Sequence, residues 1–150
     1  MADRMPIPCT GGMQYGNRYF RCWDKRGHGN LTLSGAIAKS CDVYFYQLGL
    51  KLTLARLVAG GVELGFKDRA GIDLPEENRP RFPESLDYFN RKYGKSWSQS
   101  NVLSMAIGQG DNSQTILNMA RFYAALATNG LSPTPHIAVA KTETTRQFEL

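Results

Sequence analysis

The sequence predicts a mixed α/β chain that is mainly helical, with only short strands, and three segments carry that expectation. Residues 115–128 place Ile116, Met119, Ala120, Tyr123, Leu126 and Ala127 on one helical face, and Asn129-Gly130 supplies a stop. Residues 54–64 repeat Leu54, Leu57, Val58 and Val62 at helical spacing, with Thr53 as a cap and Gly65 as a left-handed terminator. In residues 18–23 polar and aromatic side chains alternate after a Gly16-Asn17 turn signal, which predicts one strand of a hairpin ended by Gly27-His28-Gly29.

The remaining elements follow in order. Residues 31–39 read as a short helix with Ser34 near its start. Asp42 is a good N-cap for a helix through Val43-Tyr44-Phe45-Tyr46, with Gly49 as its stop. The Gly60-Gly61 pair weakens the helix that contains it, by about 1 kcal/mol per glycine relative to alanine. Residues 67–100 are polar and interrupted by Pro75, Pro80 and Pro83, with a short helix around 84–93. A loop of that length is expected to be functional or partly mobile. The Met119 and Tyr123 stripe is expected in the core. After Pro133 and Pro135, residues 136–140 read as a strand. The expected organisation is a Cys/His hairpin region (1–30), helices (31–66), a long loop (67–100), a turn with an amphipathic helix (101–130) and the start of a truncated segment (131–150).

Bulk properties exclude several classes. Hydrophobic residues make up 42%, enough for a packed core, and no apolar run approaches the roughly 20 residues of a membrane span. Met1 leads directly into Asp3 and Arg4, so no signal peptide is expected. The net charge is +5, but the basic residues (Arg18, Arg21, Lys25 and Arg26, then Arg91, Lys92 and Lys95) are dispersed and form no stripe interleaved with aromatics. They read as solvated faces and not as a nucleic-acid surface. Nothing in the composition calls for an organic cofactor.

Three thiols and an imidazole, Cys9, Cys22, Cys41 and His28, fall in the first third of the chain. Four such side chains are the ligand set of a structural zinc ion. Their spacing is loose and matches no zinc-finger pattern. A Cys9–Cys22 disulfide with Cys41 left free, or three plain buried thiols, are the competing readings. His136 lies far away and reads as a surface or strand residue.

Five segments in order then point to a family. Gly27-His28-Gly29 is followed by Ser40-Cys41-Asp42 ahead of the aromatic run, by Gly65-Phe66 and Gly71-Ile72-Asp73-Leu74-Pro75, by Ala106-Ile107-Gly108-Gln109-Gly110, and by 115–130. This order resembles the transpeptidase domain of elongation-type class B penicillin-binding proteins over about residues 9–140. No Ser-Xaa-Xaa-Lys and no Lys-Thr-Gly occurs in these residues; in Lys141-Thr142-Glu143 a glutamate stands where the glycine should be. The resemblance therefore implies an internal fragment, mainly the helical part of the domain, with the nucleophile and most of the central antiparallel sheet beyond its ends.

What the resemblance implies for function is D,D-transpeptidation of peptidoglycan stem peptides through an acyl-serine, with β-lactams acylating the same serine. Ser40 would relay protons between the nucleophile's lysine and the leaving amine; as an alternative it only caps the next turn. Asp42 stands where the motif contacts the acyl donor. An ionised carboxylate only accepts hydrogen bonds, so it is also read as pairing with a lysine or capping its helix. Gly108, Gln109 and Gly110 are candidate substrate contacts, or equally a structural turn. Some members carry a metal between the motif and the preceding loop, which adds to the zinc reading. The implied setting is the periplasmic domain of an inner-membrane-anchored protein partnered by a membrane glycan polymerase. Two other functions stay open: a non-catalytic zinc-stabilised binding module, and a serine β-lactamase or β-lactam sensor of the same fold.

Overall fold

The computed structural model describes residues 3–138 and 145–148. The elements run β1 (Gly12–Tyr15), β2 (Arg18–Arg21), α1 (Leu33–Ala38), α2 (Asp42–Leu52), α3 (Leu54–Glu63), α4 (Leu86–Tyr93), α5 (Asn101–Ala106), α6 (Ile116–Ala127), β3 (Leu131–Pro133) and β4 (Thr145–Gln147). Two two-stranded antiparallel sheets are the named sheet content among the described residues, β1 with β2 and β3 with β4. The chain divides into two compact units, and the division falls inside α3 and α4. One unit comprises the described residues up to Leu57 together with Phe89–Gly110; the other comprises Val58–Tyr88 and the described residues from Asp111 on.

The first unit is built around α2. Val43, Tyr44, Tyr46, Gln47 and Gly49 are all buried, so the helix is covered on several faces, as a core helix must be when apolar residues surround it. Its polar groups point to backbone. Tyr44 Oη donates to Asp3 O at 2.9 Å, Tyr46 Oη to Arg21 O at 2.9 Å, and the Gln47 amide pairs with both the N–H and the carbonyl of Ile7. These bonds dock the N-terminal segment and the β1–β2 hairpin against the helix. The hairpin has the two-residue Gly16-Asn17 turn, with Tyr15 opposite Arg18.

Helix α2 does not stop at Gly49, as the sequence reading expected. It runs to Leu52 and ends at Thr53, whose φ is 72°. Gly49 instead marks where α2 crosses α5: a Cβ built there would lie 2.7 Å from Ala106 Cβ and 3.3 Å from Val102 O. The missing side chain lets the two helices touch. Helix α5 itself was absent from the sequence reading, although Val102, Leu103 and Met105 are buried. Helix α1 is capped by Thr32, whose hydroxyl accepts from Gly35 N at 3.2 Å, and Ser34 has no capping role. Asp42 is the first residue of α2 and not its N-cap, which is Cys41.

The second unit holds the rest of α3, with Gly65 terminating it in the left-handed region at φ 75° as expected, and α6, whose N-cap is Thr115. The stripe assigned to the core is misplaced. Tyr123 is 63% and Ile116 91% exposed, whereas Asn118 and Ala125 are the buried residues of α6. The inward face is fixed by polar side chains as well as by packing. Asn118 Nδ2 donates to Asp68 O at 2.7 Å, Arg121 donates to Ala70 O at 2.9 Å, and Phe122 stacks edge-on against Phe66.

Part of the long loop is tied down. Glu77 accepts from the N–H groups of Ala70 and Gly71, and Arg81 pairs with Ser113 in an isolated bridge. Residues 136–138 form no strand; Asp73 accepts from Ile137 N and Ala138 N, and His136 is exposed. Residues 139–144, with the Lys141-Thr142-Glu143 look-alike and the rest of the expected strand, lie outside the described residues.

The α2–α5 crossing is directly testable. Gly49→Ala should lower stability by about 1–3 kcal/mol in urea denaturation, because overpacking outweighs the gain in helix propensity. A variant as stable as the parent would mean that α5 does not sit on Gly49.

Candidate functional site

The site begins with how the first thirty residues fold back. Cys9 and Gly29 exchange backbone hydrogen bonds at 2.8 and 2.9 Å, and Cys22 N donates to Gly11 O at 2.9 Å. Gly27 makes this possible: its φ is 82°, and a Cβ there would lie 2.2 Å from Cys9 O. The glycine beside His28 thus serves close backbone approach. The crossing carries Cys9, Cys22 and His28 to the start of α2, where Cys41 waits.

The structure brings all four sequence-predicted metal residues together. The three sulfurs and one His28 ring nitrogen lie within 4.8 Å of one another. His28 Nδ1 is 3.7 Å from Cys9 Sγ and 3.5 Å from Cys22 Sγ. All three cysteines are free and buried, and they belong to the apolar core of the unit beside Met13, Val43 and Leu103. The Cys9–Cys22 disulfide is therefore not formed. A tetrahedron with metal–sulfur and metal–nitrogen bonds near 2.0–2.3 Å has edges of about 3.5–3.8 Å, so the two distances from Nδ1 fit a closed site.

The three thiols differ in their electrostatics. Burial pushes the Cys41 thiol up to about 12, and the neighbouring Cys9 and Cys22 sulfurs add to the rise. Burial also raises Cys22. Cys9 feels the same burial, but hydrogen bonds from the backbone at Gly11 and His28 and from the other two thiols outweigh it and leave it below the ordinary value. Burial thus favours the neutral thiol at Cys22 and Cys41. His28 Nε2 is buried with no hydrogen-bond partner, and the ring lies 5.2 Å from the Trp23 ring, tilted against it.

The Ser40-Cys41-Asp42 segment turns around its middle residue. Cys41 is 1% exposed, while Ser40 is exposed and adopts φ 49°. Asp42 Oδ2 accepts from Trp23 N at 3.0 Å, at the N-terminus of α2 where a carboxylate is favoured by the helix dipole. Trp23 also reaches the turn through its indole: Nε1 donates to Lys39 O at 3.0 Å and Ser40 O at 2.9 Å. Sequence reasoning missed Trp23. The only available signal was a tryptophan next to a cysteine in a polar loop. Nearby, burial raises the Tyr46 hydroxyl to about 12, with Asp42 and Cys22 contributing.

Gly108, Gln109 and Gly110 form the turn that follows α5, with both glycines in the left-handed region and Gln109 N donating to Ser104 O at 2.9 Å. Because α5 packs on α2, the turn and the serine motif hang from the ends of paired helices.

Comparison with known proteins places this geometry. The model of the penicillin binding protein transpeptidase domain matches residues 3–149. The peptidoglycan D,D-transpeptidase MrdA of Haemophilus influenzae is 36% identical over 121 residues, which cover 81% of this chain and 18% of that protein. A Helicobacter pylori penicillin-binding protein (PBP2), solved in complex with MreC, is 33% identical with a TM-score of 0.88 over 98% of this chain and 27% of its own. A chain of a peptidoglycan synthase complex that coordinates polymerization and crosslinking is 26% identical, with a TM-score of 0.83, over 98% of this chain and 26% of its own. The chain thus spans about a fifth of the length of the curated relatives it matches. Both the expected helical fold and the family follow from these matches: this chain belongs to the penicillin-binding protein transpeptidase domain family.

Proposed function

We propose that this chain is the serine-motif portion of a peptidoglycan D,D-transpeptidase, which cross-links stem peptides through an acyl-serine and is acylated by β-lactams. The observation that carries the proposal is Ser40, turned out to solvent at the head of α2 in a chain of this family. Acyl transfer needs a nucleophile, a proton route and oxyanion donors. The nucleophile and its lysine, absent from these residues, belong to the longer protein. The Ser40 hydroxyl both donates and accepts, so it can pass a proton from that lysine to the departing amine. Asp42 orders the motif by holding Trp23 N–H, and the Gly108-Gln109-Gly110 turn offers backbone and a side-chain amide to the stem peptide.

In the same reading, Cys9, Cys22, His28 Nδ1 and Cys41 hold a structural zinc ion. When bound, the metal ties the hairpin to the serine motif and lets the three thiols ionise together. Stem peptides and β-lactams are then the ligands. The companion proteins are a MreC-like protein and a membrane glycan polymerase, by analogy with the assemblies of the relatives. The domain works in the periplasm, on a protein anchored in the inner membrane. No helix among the described residues is long and apolar enough to cross a membrane.

The activity is tested on the full-length protein with a fluorescent penicillin. A stable covalent adduct is expected, and Ser40→Ala should slow its formation by about 10²-fold. Absence of any adduct would overturn the reading, and rapid release of hydrolysed penicillin would point to a β-lactamase. A change within about twofold for Ser40→Ala would leave Ser40 no part in proton transfer.

For the metal, elemental analysis should find about one zinc per chain, as a closed site of four ligands requires. His28→Ala should lose most of it, and a chelator should lower the melting temperature of the parent but not of that variant. Protein isolated without zinc, and indifferent to His28→Ala, would refute the site.

A further inference from the structure

The geometry points to Trp23 as a positioning residue for Ser40, an inference that rests on the transpeptidase reading above. Ser40 is one of three residues other than glycine with positive φ among the described residues, a conformation that persists in an ordinary side chain only where the surroundings enforce it. On the N–H side the turn is held by α1, with Ser40 N donating to Ile37 O at 3.1 Å and Cys41 N to Ala36 O at 2.9 Å. The carbonyls of Lys39 and Ser40 lie beyond the helix end, where carbonyls have no partner from the helix itself. One donor serves both: Trp23 Nε1. The backbone N–H of the same residue holds Asp42. Trp23 therefore grips the motif on either side of Cys41.

Burial does not account for this tryptophan. It is 65% exposed, so little of its area contributes to the core, and its hydrogen bonds are what tie it to the fold. Its position also links two parts of the site. Trp23 follows Cys22 directly and its ring lies against His28, so the arrangement of the Cys/His cluster reaches Ser40 through one rigid side chain. Ser40 is left with its carbonyl fixed and its side chain free to meet the reacting groups.

The test replaces the indole N–H alone, by placing 3-benzothienylalanine at position 23 of the full-length protein, with Trp23→Phe beside it. The first-order acylation constant for penicillin should fall about tenfold, while the constant for prior binding changes less than about twofold and zinc content is unchanged. In a Ser40→Ala background the same replacement should cost less than about twofold, because the effect runs through Ser40. Amide exchange over residues 39–42 should become at least about fivefold faster, a readout independent of catalysis. Acylation and exchange both within about twofold of the parent would overturn the positioning role, as would an undiminished loss in the Ser40→Ala background. A parent protein that forms no adduct at all refutes the transpeptidase reading instead, and the exchange measurement then decides whether Trp23 holds the turn.

Discussion

Everything in the first unit is arranged around the burial of Cys41. A residue that is 1% exposed at the N-cap of a helix must point its side chain into the core, so its two neighbours are directed elsewhere. Ser40 goes to solvent and Asp42 to the rim of the hairpin. The local backbone then has to turn sharply between α1 and α2, and the left-handed φ of Ser40 is how it does so. A pair of helices separated by a single turn would ordinarily end on glycine. Here the hydroxyl is kept at a strained position, and the strain is offset by hydrogen bonds on both flanks, to carbonyl acceptors of α1 and from the Trp23 indole donor.

The thiols create a second constraint. An apolar core tolerates neutral Cys well, since the thiol behaves as a small hydrophobe. Three sulfurs and an imidazole nitrogen within 4.8 Å of one another are a different matter, because His28 Nδ1 faces Cys9 and Cys22 Sγ inside that core. Apolar packing alone does not require such a convergence: the hairpin could have closed on Met13 and Phe20 with ordinary side chains at positions 9 and 22. The cost of grouping these polar and titratable atoms is recovered when a cation is shared among them, which is the physical content of the zinc proposal. The backbone crossing at Cys9 and Gly29 folds the loop back on itself, which lets Cys9, Cys22 and His28 approach one another.

Much of this was legible in the sequence, and the misses have specific causes. Helices α3 and α6 and the β1–β2 hairpin follow from local chemistry: apolar residues recur at helical spacing, and Gly65 ends α3 in the left-handed region where glycine acts best. The four metal candidates were legible from composition, because Cys and His rarely gather in one region without reason. Helix α5 was not. It has six residues, too few to establish a period, and Ser100 makes no side-chain cap bond. Hydrophobicity alone gives the wrong face of α6. Asn118 and Arg121 turn inward to satisfy carbonyls of the preceding loop, and a pattern that counts only apolar residues rotates the helix away from them. Gly49 was read as a stop because glycine does end helices; that it accommodates a neighbouring helix depends on a contact about fifty residues away, which no local pattern contains.

The serine motif shows the same limit from the functional side. In the sequence, the Ser40-Cys41-Asp42 motif assigns acyl-transfer chemistry to its first and last residues, and the middle one enters only as a metal-ligand candidate. In the fold the middle residue sets the direction of the other two, and Asp42 is engaged by the hairpin through Trp23 N–H. An asparagine at that place could donate to a substrate carbonyl; an ionised aspartate cannot, but it is the better acceptor for a backbone N–H at a helix start. In this chain the Asp42 carboxyl group is engaged by the loop, accepting from Trp23 N–H. The proton-bearing group that the motif still presents to solvent is the Ser40 hydroxyl, and its placement depends on the same loop that Asp42 restrains.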